Sequence, residues 1–64
     1  MCLSTVYKNA KEPGNVVMSN VQRIDVEEGQ VLLTDVMDRE IVVVGRLLSV
    51  DLVGGVAILK EENA

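Results

Sequence analysis

The segment "IVVVGRLLSVDLVGGVAILK" (residues 41–60) decides the fold class, because it is rich in β-branched residues and broken only by glycine. Its first part, "IVVVG", is apolar on both faces, which predicts a strand that is covered on both sides. "RLLSVDL" alternates instead, so we expect Leu48, Val50 and Leu52 to face the core. The Gly-Gly pair that follows predicts a tight hairpin into "VAILK".

The rest of the chain has the same character as this segment. Its 13 valines suit a pleated, half-buried surface, and its other glycines fall between apolar stretches. Strands are predicted from residue 2 to 8, in "VVM", in "VQRIDVEE" and in "VLLTDV", with turns at "PG", at "EEGQ" and at "MDRE". We therefore predict an all-β, single-domain barrel of six to seven short strands spanning residues 1–64, since closure removes exposed edges.

The size of the chain predicts a second subunit. A folded chain of 64 residues buries only about 60% of the surface that its unfolded form exposes. Domains this small usually need a disulfide, a metal or a partner subunit, and one cysteine cannot form an intrachain disulfide. We predict a homodimer in which "IVVVG" or an adjacent apolar strand supplies buried interface.

Charge and composition argue against several classes of partner. The net charge is −4, with 10 acidic and 6 basic residues, and there is one aromatic side chain. Nucleic acid and anionic membrane surfaces are therefore unfavourable partners, although a small RNA-binding barrel stays open as an alternative. No secretory leader and no run of ~18 apolar residues is visible, so we expect a cytoplasmic protein.

The sequence does not predict an enzyme. Histidine is absent, which removes Ser-His-Asp and Cys-His schemes, and no glycine-rich phosphate loop is present. The carboxylates that flank the predicted hairpins are expected to be solvated turn residues. These carboxylates are Glu27, Glu28, Asp35, Asp38 and Glu40.

Cys2, the single cysteine, supports two interpretations. A free cysteine is commonly a small buried hydrophobe. If Met1 is removed, however, Cys2 carries both a thiolate and an α-amine, which together form a five-membered chelate. Thiolate and nitrogen donors in a square plane suit Ni(II) or Cu(II), whereas one chain cannot build a tetrahedral Cys/His zinc site.

The start "MCLSTVYK" and the ending "LLSVDLVGGVAILKE" resemble the CooT family over nearly the whole chain. This resemblance implies a small dimeric accessory protein that binds nickel and is linked to the maturation of carbon monoxide dehydrogenase. In that family the cysteine after the initiator methionine carries the nickel, and it corresponds to Cys2. The expected function is thus that of a Ni(II) metallochaperone or nickel store acting on a nickel-enzyme client.

A second family is also similar at the amino terminus. Hydrogenase maturation chaperones of the HypC type begin with Met-Cys and use that cysteine on a metal centre. They continue with Pro-Gly a few residues later, where this chain has Thr5, Val6 and Tyr7. The HypC-like function is therefore the alternative to the CooT-like one.

Overall fold

The computed structural model describes residues 3–62, which form a small sheet that closes on itself. The strands are β1 (Ser4–Lys8), β2 (Val16–Glu27), β3 (Gln30–Asp35), β4 (Glu40–Asp51) and β5 (Val56–Glu61), and a 3₁₀ turn spans Pro13–Asn15. Consecutive strands pair antiparallel, and the parallel pairing of β1 with β5 closes the barrel. The all-β prediction is confirmed.

The predicted count of six to seven strands is wrong, because the structure has five: "VVM" and "VQRIDVE" belong to one strand, and so do "IVVVG" and "RLLSVD". β2 continues through Asn20, which takes a φ of 56°, and β4 continues through Gly45, which takes a φ of 149°. A Cβ at Gly45 would lie 1.9 Å from the carbonyl oxygen of Lys60 on β5. Glycine therefore lets two backbones approach here, and it bends the strand without ending it.

The core lies on the inward face of all five strands and is made almost entirely of aliphatic side chains. Its buried members are Val6, Val21, Val31, Leu33, Val43, Ala57 and Leu59. Partly buried side chains, among them Ile24 and Leu47, pack against this cluster. The mixture of valine, leucine and alanine suits a barrel whose interior is too narrow for large aromatic side chains.

The prediction that Leu48, Val50 and Leu52 face the core is wrong, because all three side chains are exposed. The register of β4 against β5 shifts between Leu47 and Ser49. The shift comes after Leu47 and therefore does not set the direction of Leu48. Leu47 continues the inward alternation of Val43 and Gly45 and packs against the core, so Leu48 faces outward. The apolar pattern of "RLLSVDL" alone could not show which of the two phases is the inward one.

β4 also differs from the expectation that both of its faces are covered. Val43 is buried, but Val42 and Val44 are 54% and 57% exposed. Within the single chain, therefore, one face of "IVVVG" packs inward and the other is open to solvent.

The prediction of solvated turn carboxylates is confirmed for four residues and wrong for Asp35. Glu27, Glu28, Asp38 and Glu40 are exposed, whereas Asp35 is only 2% exposed. Asp35 ends β3 opposite Val21, on the inward side of the barrel, where main-chain and arginine donors surround its carboxylate.

Candidate functional site

Cys2, the predicted metal ligand, lies outside the described residues. The first described residue is Leu3, which leads directly into β1 at Ser4. The structure therefore describes the surroundings of the main chain from Leu3 onward, immediately after Cys2.

Two neighbouring strands hold the beginning of β1. Ser4 pairs with Val21 of β2, and Thr5 pairs with Val56 at the start of β5. In addition, the Thr5 amide donates a hydrogen bond of 2.8 Å to the carbonyl oxygen of Gly55. The chain is thus attached to the barrel within three residues of Cys2.

The turn between β4 and β5, residues 52–55, approaches Leu3 closely. An added Cβ on Gly55 would lie 3.2 Å from the carbonyl oxygen of Leu3. Gly55 has a φ of 69°, a conformation that side chains with a Cβ rarely adopt. This turn is therefore part of the immediate environment of the amino-terminal segment.

Two open grooves meet beside Leu3. Leu3 and Val36 line one groove together with Gln22 and Arg23, and the same Gln22 and Arg23 also line the second. The rest of the second groove is mostly apolar: Ser4, Val21, Ile24, Val26, Leu47, Val50 and Leu52. Leu3 thus lies at a surface that is mainly apolar.

Arg23, the basic residue among the described residues that line these two grooves, is paired with a carboxylate. The Nε atom of Arg23 donates to both carboxylate oxygens of Asp25, at 3.2 Å and 3.0 Å. Both side chains are substantially exposed, so this ion pair contributes little to stability. Its effect is to neutralise charge along the edge of the grooves.

No group of three or more carboxylates or cysteines that could hold a metal ion lies among residues 3–62. The sequence contains no histidine and no second cysteine. Cys2 is consequently the one soft side-chain donor of the chain, apart from the weak thioethers of its methionines.

Comparison with known proteins identifies the family. A family model described as the CO dehydrogenase accessory protein CooT matches residues 1–60. The chain belongs to the CooT family. This confirms the resemblance carried by "MCLSTVYK", which the sequence analysis set against a HypC-type alternative. No curated protein matches the chain.

Membership of the CooT family implies an accessory role for CO dehydrogenase. It also confirms that the chain is not itself an enzyme, because the role of CooT is to assist an enzyme. Within residues 3–62, no helix has the length and apolar character needed to cross a membrane.

Sequence reasoning missed the approach of the β4–β5 turn to the amino-terminal segment. Gly54 and Gly55 were identified only as a hairpin. The approach of Gly55 to Leu3 depends on the parallel pairing of β1 with β5, which joins residues about 50 positions apart in the sequence. Asp51 shapes this turn, and its sequence signal was its place immediately before the turn and three residues before Gly54.

Proposed function

We propose that this protein binds Ni(II) as cargo at its processed amino terminus and holds it for the maturation of CO dehydrogenase. The observation that carries the proposal is the CooT match over residues 1–60, which includes Cys2 and implies an accessory role for a nickel enzyme. The protein is then a cytoplasmic metallochaperone or nickel store.

The donor chemistry supports nickel. Removal of Met1 leaves the thiolate and the α-amine of Cys2 on one residue, and neighbouring amide nitrogens complete a mixed sulfur and nitrogen set. Such a set suits square-planar Ni(II) or Cu(II), whereas hard cations such as Mg²⁺ prefer oxygen ligands, and the link to a nickel enzyme favours Ni(II). Binding requires a deprotonated thiol, whose ordinary pKa is ~8.5, so affinity falls as the pH is lowered.

We propose further that the protein acts as a homodimer. Support comes from β4, whose outward side chains Val42 and Val44 are more than half exposed although they are strongly apolar. A second copy that covers these side chains would remove them from water. Two-fold symmetry would also place two copies of Cys2 in one particle.

Nickel titration of three forms tests the metal site. The forms are the chain without Met1, the chain with an amino-terminal extension, and Cys2→Ser. Thiolate-to-nickel charge-transfer absorption should appear in the first, weaken or change in the second, and vanish in the third. If Cys2→Ser binds nickel as tightly as the parent, the assignment is wrong. The intact mass establishes which form has lost Met1.

Light scattering coupled to size exclusion tests the dimer. The parent should show twice the chain mass of 7.0 kDa, and Val42→Lys should shift the mass towards that of the monomer. Glu28→Lys, an exposed change of charge in the turn between β2 and β3, is the control and should leave the mass unchanged. A parent that elutes as a monomer at micromolar concentration contradicts the dimer.

A further inference from the structure

The β4–β5 turn holds the main chain beside the proposed metal site from two directions. The Gly55 carbonyl accepts the Thr5 amide at 2.8 Å, and this bond fixes the chain after Leu3. The Cα of Gly55 faces the carbonyl oxygen of Leu3, because a Cβ added there would come within 3.2 Å of that oxygen. One residue of the turn thus contacts the two residues that flank Ser4.

Asp51 gives this turn its shape. Its Oδ1 atom accepts the main-chain amides of Val53 at 3.1 Å and Gly54 at 2.9 Å. The Asp51 carbonyl oxygen accepts the Gly55 amide at 2.9 Å. Three consecutive amides of the turn are therefore bound by one residue, and the position of Gly55 depends on these bonds.

Glycine is needed at position 55 for two separate reasons. The φ of 69° is accessible to glycine at no steric cost, and the missing Cβ leaves room for the Leu3 carbonyl. A larger residue would have to change the turn or displace the main chain at Leu3. Leu3 carries the first amide nitrogen after Cys2, so such a displacement would move main chain that the proposed site uses.

We propose that Gly55 and Asp51 are positioning residues for the amino-terminal nickel site, through the main chain at Leu3. The inference rests on the proposed nickel binding, and it adds a second segment of the chain to that site. Residues that orient metal ligands without touching the metal commonly change affinity by 10–100-fold when they are replaced. A square-planar set that includes main-chain nitrogen depends especially on backbone position.

Gly55→Ala and Gly29→Ala form a matched pair for the test. Both glycines have positive φ values, 69° and 80°, so alanine introduces similar backbone strain at each. A Cβ at Gly29 would meet no atom within 4 Å, whereas one at Gly55 meets the Leu3 carbonyl. The two variants therefore differ in their contact with the amino-terminal segment.

Nickel titration of the chain without Met1 gives the result. We expect Gly55→Ala to bind Ni(II) about tenfold more weakly than the parent and to shift the thiolate-to-nickel absorption band. Gly29→Ala should keep the affinity and the band of the parent. If the two variants bind nickel equally well and with the same spectrum, the positioning role is wrong.

Asp51 supplies a second pair that does not depend on the folding of Gly55→Ala. Asp51→Ala removes the Oδ1 acceptor, and we expect weaker nickel binding with a shifted band. Asp51→Asn keeps an oxygen acceptor at the same place and should restore the spectrum of the parent. Equal spectra for Asp51→Ala and the parent would overturn the inference.

The same titration distinguishes a failure of the positioning role from a failure of nickel binding at Cys2. If the parent shows no nickel absorption, or if Cys2→Ser retains it, nickel binding at Cys2 fails and the positioning role fails with it. If the parent binds through Cys2 and the glycine variants do not differ, nickel binding stands and only the positioning role is lost.

Discussion

The two turns that flank β4 use the same chemistry in different surroundings. In each, an aspartate ends a strand and its Oδ1 atom accepts two main-chain amides further along the chain. Asp35 accepts Met37 and Arg39, both at 2.9 Å, in the β3–β4 turn (residues 36–39). Asp51 accepts Val53 and Gly54 in the β4–β5 turn (residues 52–55).

The difference lies in burial. Asp35 is 2% exposed and also receives the Nε atom of Arg39 at 2.8 Å, whereas Asp51 is exposed and binds no side-chain donor among the described residues. Burial alone would raise the pKa of Asp35, but hydrogen bonds from the amides of Arg39 and Met37 and from the Arg39 side chain outweigh it. The pKa therefore lies below its ordinary value of 3.8. One motif thus stabilises the barrel, while the other faces the amino-terminal segment.

Asp35→Ala should produce the largest loss of stability. It removes three hydrogen bonds to a carboxylate and leaves unfilled space at the end of β3, so we expect thermal unfolding about 10 °C below that of the parent. Glu40→Ala is the control, because it removes the same charge from a nearby exposed position and should change Tm little. Similar Tm values for the two variants would show that the hydrogen bonds of Asp35 do not stabilise the fold more than an exposed carboxylate does.

Asp35→Asn should change the response to acid. Because the folded-state pKa of Asp35 is lowered, its ionised form stabilises the native protein above pH 3.8, and this contribution is lost as the pH falls further, through the folded-state pKa. Asparagine cannot titrate, so the stability of the variant should fall less steeply below pH 3.8. Urea unfolding between pH 2 and pH 6 measures the two slopes, and parallel slopes would contradict the assignment.

Asp51→Ala should cost less stability than Asp35→Ala. Its two amides lie in an exposed turn where water can replace the carboxylate, so we expect Tm to fall by about 5 °C. Differential scanning calorimetry of both alanine variants makes the comparison. A lower Tm for Asp51→Ala than for Asp35→Ala would contradict the prediction that the buried turn contributes more to stability.

Arg39→Gln should have the smallest effect. The Arg39 side chain is 76% exposed, and its ion pair with Asp35 therefore contributes little net free energy. The Arg39 amide still binds Asp35 in the variant, so we expect Tm to fall by about 3 °C. If Arg39→Gln lowers Tm as much as Asp35→Ala does, the guanidinium of Arg39, and not the main-chain amides, stabilises the turn.

Local patterns predicted the turns better than they predicted the strands. Glycine and aspartate at positions 29, 38 and 55 signalled turns, and each of these residues adopts a positive φ. The sequence pattern separates "VVM" from "VQRIDVEE", yet β2 continues through Asn20 between them, and β4 continues through Gly45. A residue with positive φ can either end or bend a strand, and the choice depends on whether pairing with neighbouring strands continues beyond it.

The amino-acid sequence was enough to predict the all-β class, the likeness to CooT, and the restriction of soft side-chain donors to Cys2. These follow from residue types and their order, because strand propensity, turn chemistry and ligand chemistry are local properties. The burial of Asp35, the outward position of Leu48 and the approach of Gly55 to Leu3 depend instead on how the strands pair in three dimensions. Closing the barrel pairs the first strand with the last, and such contacts between distant residues have no local signature.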